Sequence, residues 1–135
     1  MIWEATINYT TINEVGDEKK VKEQYVCDGR ESFSDVEQML WSMFGSYDNF
    51  SVATIKQSKI KEIANGRTSD DESIWQAEMK DVFHDDEGNE KETKYKIVFF
   101  SKTYESANTF IIEYAKQGYN LSLISLKQTK IEDVI

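Results

Sequence analysis

Apolar and polar residues alternate along the start of the chain. Residues 3–9 place Trp, Ala, Ile and Tyr on one side, which is typical of a strand with one buried face. The polar stretch 13–20 contains a Gly-Asp pair and predicts a hairpin loop. Alternation resumes over residues 21–28, which predicts the return strand of a hairpin.

A helix is predicted next, because apolar residues recur at spacings of three and four over residues 34–44. Ser34 and Glu37 have the spacing of a capping box, and Gly45 is the predicted left-handed end of the helix. A third strand follows. Its apolar residues do not keep a period of two, which predicts a bulge or bend over residues 54–56.

The second half of the chain repeats this order of elements. A strand over residues 75–83 and a return strand over residues 91–101 flank an acidic turn. Thr103 is the predicted cap of a helix over residues 104–116. Residues 119–126 form a nearly continuous apolar run, which predicts a last strand that is buried on both faces.

The two halves also share sequence. Residues 56–63 read KQSKIKEI, and residues 127–134 read KQTKIEDV, 71 positions further on. The apolar stripes of the two predicted helices match at the same offset. Trp3 and Trp75 open equivalent strands and are predicted to be core residues. Ordered agreement over several elements indicates an internal duplication.

We therefore expect an α+β fold of two tandem β-β-α-β repeats with pseudo-two-fold symmetry, in which two helices cover mainly antiparallel sheet. The expected organisation is a single domain over residues 1–135. Its first repeat comprises residues 1–63 and its second comprises residues 74–135. The polar residues 64–73 are the predicted linker between the repeats.

Composition and charge narrow the classes of protein. The 39% hydrophobic and 13% aromatic content is that of a folded chain. A net charge of −9 disfavours a protein that coats duplex nucleic acid, although it leaves room for a local basic groove. Cys27 stands alone, so no intrachain disulfide forms and a reducing compartment is expected. The sequence shows neither a signal peptide nor a membrane-spanning run, which predicts a cytoplasmic protein without a membrane partner.

The sequence lacks the common motifs of catalysis and nucleotide binding. One histidine and one cysteine give poor support for a zinc site or a Cys-His nucleophile pair. The acidic residues 84–90 have the wrong spacing for a calcium loop and predict a hairpin turn. Carboxylates are plentiful, but no spacing singles out a pair for acid-base catalysis. We therefore expect a protein that is not an enzyme and that has no metal or cofactor.

The repeated KQ(S/T)K segments are the strongest candidates for a ligand surface. Lysines supply charge for phosphates, and aromatic rings supply flat partners for unpaired bases. The candidate nucleic-acid-binding residues are Lys56, Lys59, Lys61, Lys94, Lys96, Lys127, Lys130, Tyr47, Phe50, Phe100 and Tyr119. The alternative interpretation is that these lysines are the solvated face of a strand and form weak ion pairs with neighbouring acids.

The I-W-x-A strand opening, the polar hairpin, the capped helix and the K-x-(S/T)-K-I-x-(E/D)-(I/V) closure resemble a family catalogued as a domain of unknown function. That family occurs in Bacteroidetes and in the crAss-like phages that infect them. Some of its phage members are regarded as candidate single-stranded DNA-binding proteins of the replication module. The resemblance implies a cytoplasmic protein, in the host cytoplasm if a phage encodes it. It transfers no site residues.

Two functions are expected from these observations. The first is a non-enzymatic protein that binds single-stranded nucleic acid, foremost DNA, in phage replication, with a homodimer as one expected state. The second is a protein-interaction or scaffolding module, whose acidic surface or open sheet edge binds a protein partner.

Overall fold

The computed structural model describes residues 1–118 and 121–135. This part of the chain forms eight strands and two helices in the order β-β-α-β-β, repeated once. The predicted α+β class is confirmed. The elements are β1 (Ile2–Ile12), β2 (Glu18–Asp28), α1 (Phe33–Phe44), β3 (Ser51–Gln57), β4 (Ile60–Ile63), β5 (Ser73–His84), β6 (Glu90–Ser101), α2 (Tyr104–Ala115), β7 (Leu121–Gln128) and β8 (Ile131–Val134).

The chain folds into two compact units. Unit 1 comprises residues 1–58 and 130–135, and unit 2 comprises residues 59–129. Each unit contains one helix and one four-stranded sheet, with strand order β3-β1-β2-β8 in unit 1 and β4-β6-β5-β7 in unit 2. The units therefore do not coincide with the predicted repeats, and the predicted linker 64–73 lies wholly within unit 2.

The difference arises from β4 and β8, which we call the exchanged strands. The strand β4 follows β3 in sequence but pairs in parallel with β6, while β8 follows β7 and pairs in parallel with β2. The other paired strands of the described residues are antiparallel. Each half of the sequence thus supplies the fourth strand of the other sheet, and the chain changes unit inside each KQ(S/T)K segment.

Strand β3 contains the irregularity that its apolar pattern predicts. Thr6 is opposite Thr54 and Ile7 is opposite Val52, so Ala53 is an extra residue that bulges. The bulge lies one residue before the predicted span. A matching bulge in β7 leaves Ile124 as the extra residue.

The core of unit 1 lies between α1 and one face of its sheet. Alternate residues of β1 and β2 face the helix, as their period of two predicts. The buried residues of this core are Trp3, Ala5, Ile7, Tyr25, Cys27, Val36, Leu40 and Phe44. Burying a side chain such as Leu40 contributes about 1.5–3 kcal/mol, so this layer supplies much of the stability of the unit.

The core of unit 2 is built in the same way beneath α2. Its buried residues are Trp75, Ala77, Met79, Ile97, Phe99, Ala107 and Ile111. The predicted core position of both N-terminal tryptophans is confirmed. The Trp3 indole N–H donates to the Arg30 carbonyl at 2.9 Å, and that of Trp75 donates to the Ser101 carbonyl at 3.0 Å. Each buried ring therefore satisfies its polar atom at an equivalent place.

Two predicted features of α1 are wrong. The helix begins at Phe33 with Ser32 as its cap, because the Ser32 hydroxyl accepts from the Asp35 amide at 3.2 Å. Gly45 has φ −62° and is right-handed, whereas the positive φ near the end of the helix is that of Asn49, at 54°. The predicted cap of α2 is confirmed, since the Thr103 hydroxyl accepts from the Ser106 amide at 3.1 Å.

The last predicted strand is also different from expectation. Strand β7 forms an edge of its sheet, and its side chains alternate between half-buried and exposed up to the bulge. The apolar run therefore reflects one helix-facing row plus the exposed Ile124, not burial on both faces. Tyr119, the first residue of that run, lies outside the described residues.

Both long hairpins close with the same turn. The Asn13 Oδ1 accepts from the amides two and four residues later, and the Asp85 Oδ1 does the same. Gly16 and Gly88 adopt the positive φ that these turns require, at 87° and 83°. The acidic stretch 84–90 is therefore the hairpin turn that its sequence predicts.

Candidate functional site

In unit 1, Lys56 lies on the sheet face that points away from α1, which we call the helix-free face. Its neighbour Ile55 packs against the core, so alternation turns Lys56 to the other side. Lys56 is opposite Glu4 in the register and is exposed. Lys22, two strands away, lies on the same face because it pairs with Asn8.

A small polar recess lies beside Lys56. Its volume is about 110 Å³, and its walls include Glu4, Thr6, Gln24, Thr54 and Lys56. The hydroxyl, amide and ammonium groups of this recess can donate hydrogen bonds. The ionised carboxylate of Glu4 can accept hydrogen bonds but cannot donate them. The recess is therefore suited to a small polar group, with one carboxylate that opposes an anion.

In unit 2, three predicted lysines also lie on the helix-free face. Lys94 and Lys96 alternate with the half-buried Tyr95 and the buried Ile97 on β6. Lys127 alternates with the core-packed Leu126 on β7. This face thus gathers positive charge from two strands that flank β5.

Glutamates interleave these lysines. Lys96 is opposite Glu78 in the register, and Lys94 is opposite Lys80. The Lys80 Nζ lies 2.8 Å from the Glu92 Oε1, and this contact raises the pKa of Lys80 and lowers that of Glu92. Lysines without a close acid partner on this face are therefore the ones most open to a phosphate.

Lys61 lies apart from these lysines, on the side of the sheet that faces α2. Its ammonium is 4.1 Å from the centre of the Tyr95 ring, a cation–π contact. The next residue, Glu62, accepts a hydrogen bond from the Tyr114 hydroxyl of α2. Burial and then this contact raise the pKa of Tyr114. Both contacts join β4 to other elements of unit 2.

Lys59 and Lys130 occupy the two short connections that precede the exchanged strands. Both side chains are exposed. Lys59 is the first residue of unit 2, and Lys130 is the first residue of the returning segment of unit 1. They mark equivalent places in the sequence but belong to different units.

The predicted aromatic residues do not join the lysines. In unit 1, Tyr47 and Phe50 belong to a group of rings around Phe44 on the α1 side of the sheet. In unit 2, Phe100 is 5% exposed, and the Arg67 guanidinium lies 4.8 Å from its ring centre. Tyr119 lies outside the described residues. The helix-free faces therefore carry lysines without an exposed predicted ring beside them.

Sequence reasoning did not select Trp41, although it is 50% exposed and touches Phe50 edge to face at 4.6 Å. Its position off the apolar stripe of α1 was the signal that could have found it. A large apolar side chain outside the buried stripe of an amphipathic helix must face solvent or a partner.

Buried phenol and thiol groups are held in their neutral forms. Burial, followed by a hydrogen bond with Glu23, raises the pKa of Tyr9 to about 12. Burial and then the charge of Glu23 raise the pKa of Tyr25. Burial raises the pKa of the Cys27 thiol to about 11, against a smaller opposing effect of Arg30. None of these groups is a ready nucleophile at neutral pH.

Within residues 1–118 and 121–135, no group of three or more His, Cys, Asp or Glu side chains is placed to bind a metal ion. Neither helix of these residues has the length and apolar content to cross a membrane.

A family model described as "Domain of unknown function (DUF4494)" matches residues 1–135. No curated protein and no solved structure matches the chain.

Proposed function

The chain belongs to the DUF4494 family, and we propose that it is a non-enzymatic protein that binds single-stranded nucleic acid, foremost DNA. The proposal rests on one observation. Each of the residues Lys56, Lys94, Lys96 and Lys127 lies on the helix-free face of its sheet. A sheet face that carries lysines offers cations to an extended phosphate backbone. The proposed setting is the cytoplasm, in the replication module of a phage.

A local group of lysines makes this function compatible with a net charge of −9. The densest runs of acids lie elsewhere, in the hairpin turn 84–90 and in residues 70–72. Threonine, serine and glutamine side chains on the helix-free faces donate hydrogen bonds to phosphates, whereas Glu4 and Glu78, opposite Lys56 and Lys96, oppose an anion. Because exposed rings are absent from the described part of these faces, binding rests on phosphate contacts and is expected to depend steeply on salt.

We further propose that the two halves arose by duplication and are related by a pseudo-two-fold axis. Support comes from the strand order, which is the same in both sheets when β1–β4 are exchanged for β5–β8. The bulges at Ala53 and Ile124 are 71 positions apart, as are the acceptors Arg30 and Ser101 of the tryptophan N–H bonds. Lys56 and Lys127 are then equivalent cations.

The test is binding of a labelled oligothymidylate by the full chain over a salt series. The wild type is expected to bind at low salt. The logarithm of its binding constant is expected to fall linearly with the logarithm of the salt concentration. The double variant Lys56→Glu, Lys127→Glu is expected to bind at least about tenfold more weakly, with a shallower salt slope.

A matched control has the same net charge as this variant. Lys19 and Lys91 lie in the same two sheets, on β2 and β6, but their register partners Thr11 and Phe83 belong to the helix-side rows. The variant Lys19→Glu, Lys91→Glu is therefore expected to change the affinity by less than about threefold. If both double variants lost affinity equally, binding would depend on the net charge of the protein and not on a site at Lys56 and Lys127. No binding of the wild type at low salt would overturn the proposal.

A protein-interaction module is the second function that we propose. The observation that favours it is the row of large apolar side chains exposed along α1, beside the edge strand β3. Capture of one stoichiometric protein partner by the full chain, resistant to nuclease, would support this function. Captured protein that disappears with nuclease treatment would favour the first function.

A further inference from the structure

Exposed apolar residues are concentrated around α1. Phe33 is 51% exposed, Trp41 is 50% exposed, Met43 is 48% exposed, and Tyr47, just after the helix, is 44% exposed. Single exposed apolar residues are ordinary, but several on one short stretch are a mark of an interaction site.

Ring contacts link Trp41, Phe50 and Tyr47, and Phe33 lies on the same side of the helix as Trp41. Phe33, Glu37 and Trp41 lie four residues apart and so follow one line along the helix. The Trp41 ring meets the Phe50 ring at 4.6 Å, and Phe44 links Phe50 to Tyr47 at 6.4 and 5.8 Å. We call Phe33, Trp41, Tyr47 and Phe50 the Trp41 surface. It ends at the edge strand β3.

A groove runs along another side of the same helix. Its volume is about 590 Å³, and Met39 and Met43 supply its apolar wall. Methionine side chains adapt to irregular partners, which is why they are common in surfaces that bind peptides. The remaining wall is polar and includes Arg30, Glu31 and Asp35. An apolar side chain of a partner therefore has a second place to insert.

The charge around α1 selects the partner. Asp35 and Glu37 are its charged residues, and the helix has no basic residue. Glu31 precedes the helix and Asp48 follows it. A second copy of this chain would bring the same acids together, which like-charge repulsion opposes. A basic segment would instead be attracted by these carboxylates, against the opposing charge of Arg30 in the groove wall.

We propose that the Trp41 surface, together with the methionine groove on another side of the same helix, binds a basic, amphipathic segment of a protein partner. The inference deepens the second proposed function by naming its site and the chemistry of its partner. A large apolar side chain of the segment packs on Trp41 and Phe50, and its lysines or arginines face Glu37, Asp35 and Asp48. Aromatic anchors of this kind dominate the binding energy of most interfaces.

The equivalent surface of unit 2 supplies a built-in comparison. Tyr104 and Ile112, at the positions of Phe33 and Trp41, are 58% and 44% exposed. The positions of Tyr47 and Phe50 are taken by Gly118 and Leu121, so this copy lacks the group of rings. The aromatic docking surface is thus specific to unit 1, and Ile112 is the matched control for Trp41.

The experiment measures binding of the full chain to a labelled peptide of about 14 residues that contains only leucine and lysine at helical spacing. A peptide of the same composition in scrambled order and a leucine–glutamate peptide serve as controls. The ordered basic peptide is expected to bind best. Trp41→Ala and Glu37→Lys are each expected to weaken binding at least about tenfold, while Ile112→Ala changes it less than about threefold.

The intrinsic fluorescence of the protein gives an independent readout. Trp3 and Trp75 are 9% and 5% exposed, so Trp41 is the tryptophan whose surroundings a docked peptide changes. A shift of its emission to shorter wavelength on peptide addition is expected, and quenching by iodide should fall. Unchanged thermal melting of the Trp41 and Glu37 variants would show that their folds are intact.

Each other outcome overturns the inference in a distinguishable way. No binding of any peptide would remove both the inference and the second proposed function. Binding that is insensitive to Trp41→Ala and Glu37→Lys would remove this site but keep a docking function elsewhere. Loss of oligothymidylate binding in Trp41→Ala would assign the surface to base stacking instead. Loss of self-association in Trp41→Ala would assign it to a second copy of the chain.

Discussion

At the scale of single residues, Cys27 illustrates how burial decides chemistry. Its side chain is fully buried in the core of unit 1. A thiol reacts through its thiolate, and burial raises the pKa of Cys27 from 9.0 to about 11 because the apolar surroundings disfavour the charged form. A lone cysteine on the apolar face of a strand is most often packed in the core, and Cys27 follows this rule.

We predict that Cys27 of the native protein does not react with a disulfide reagent at about pH 8 within an hour. In denaturant the same thiol is expected to react fully, because unfolding exposes it and returns its pKa to the ordinary range. The measurement is the absorbance of the released thiolate with and without guanidinium chloride. Rapid reaction of the native protein would show that the strand β2 opens easily or that the thiol is exposed.

At the scale of elements, the sequence predicts more than it misses. Alternation locates the long hairpins, because one buried face forces a period of two. The start of α1 is missed because Ser32 and Ser34 are both good caps, and only the backbone conformation selects one. The position of Lys61 is missed because a register shift in β4, between Ile60 and Glu62, breaks the alternation that its neighbours suggest.

The two serines provide a test of the helix start. Ser32→Ala is expected to destabilise the protein by about 1 kcal/mol, because the Asp35 amide loses its acceptor. Ser34→Ala, inside the first turn, is expected to change the stability by less than about 0.5 kcal/mol. Urea unfolding followed by circular dichroism measures both values. A larger loss for Ser34→Ala would restore Ser34 as the cap.

At the scale of the whole molecule, the exchange of β4 and β8 is the property that periodicity does not predict. The segments IKEI and IEDV form the short strands β4 and β8. Their apolar pattern does not determine which strand each of them pairs with. The hydrogen bonds of the structure identify the pairing strand. Ile135, just after β8, donates to the Val26 carbonyl at 2.8 Å and accepts from the Asp28 amide at 3.0 Å. The candidate lysines are affected too, because Lys59 and Lys130 change unit with these strands.

This exchange has a consequence for fragments of the chain. A fragment 1–66 contains the β1-β2-α1-β3 part of unit 1 but lacks β8, while a fragment 67–135 lacks β4. Each fragment therefore leaves one edge of β2 or β6 unpaired and part of its core uncovered, which a unit of this size cannot tolerate. We expect each fragment alone to show no cooperative thermal transition, and an equimolar mixture to regain one.

The cut lies next to Gly66, an exposed residue between β4 and β5 for which an added side chain would meet no atom within 4 Å. Breaking the chain there is expected to disturb little structure by itself. The full chain cleaved at that bond and kept together is the matched control, and it should melt as one unit. Cooperative unfolding of either fragment alone would mean that its three strands and helix suffice, so that the exchanged strand is an accessory and not a part of the core.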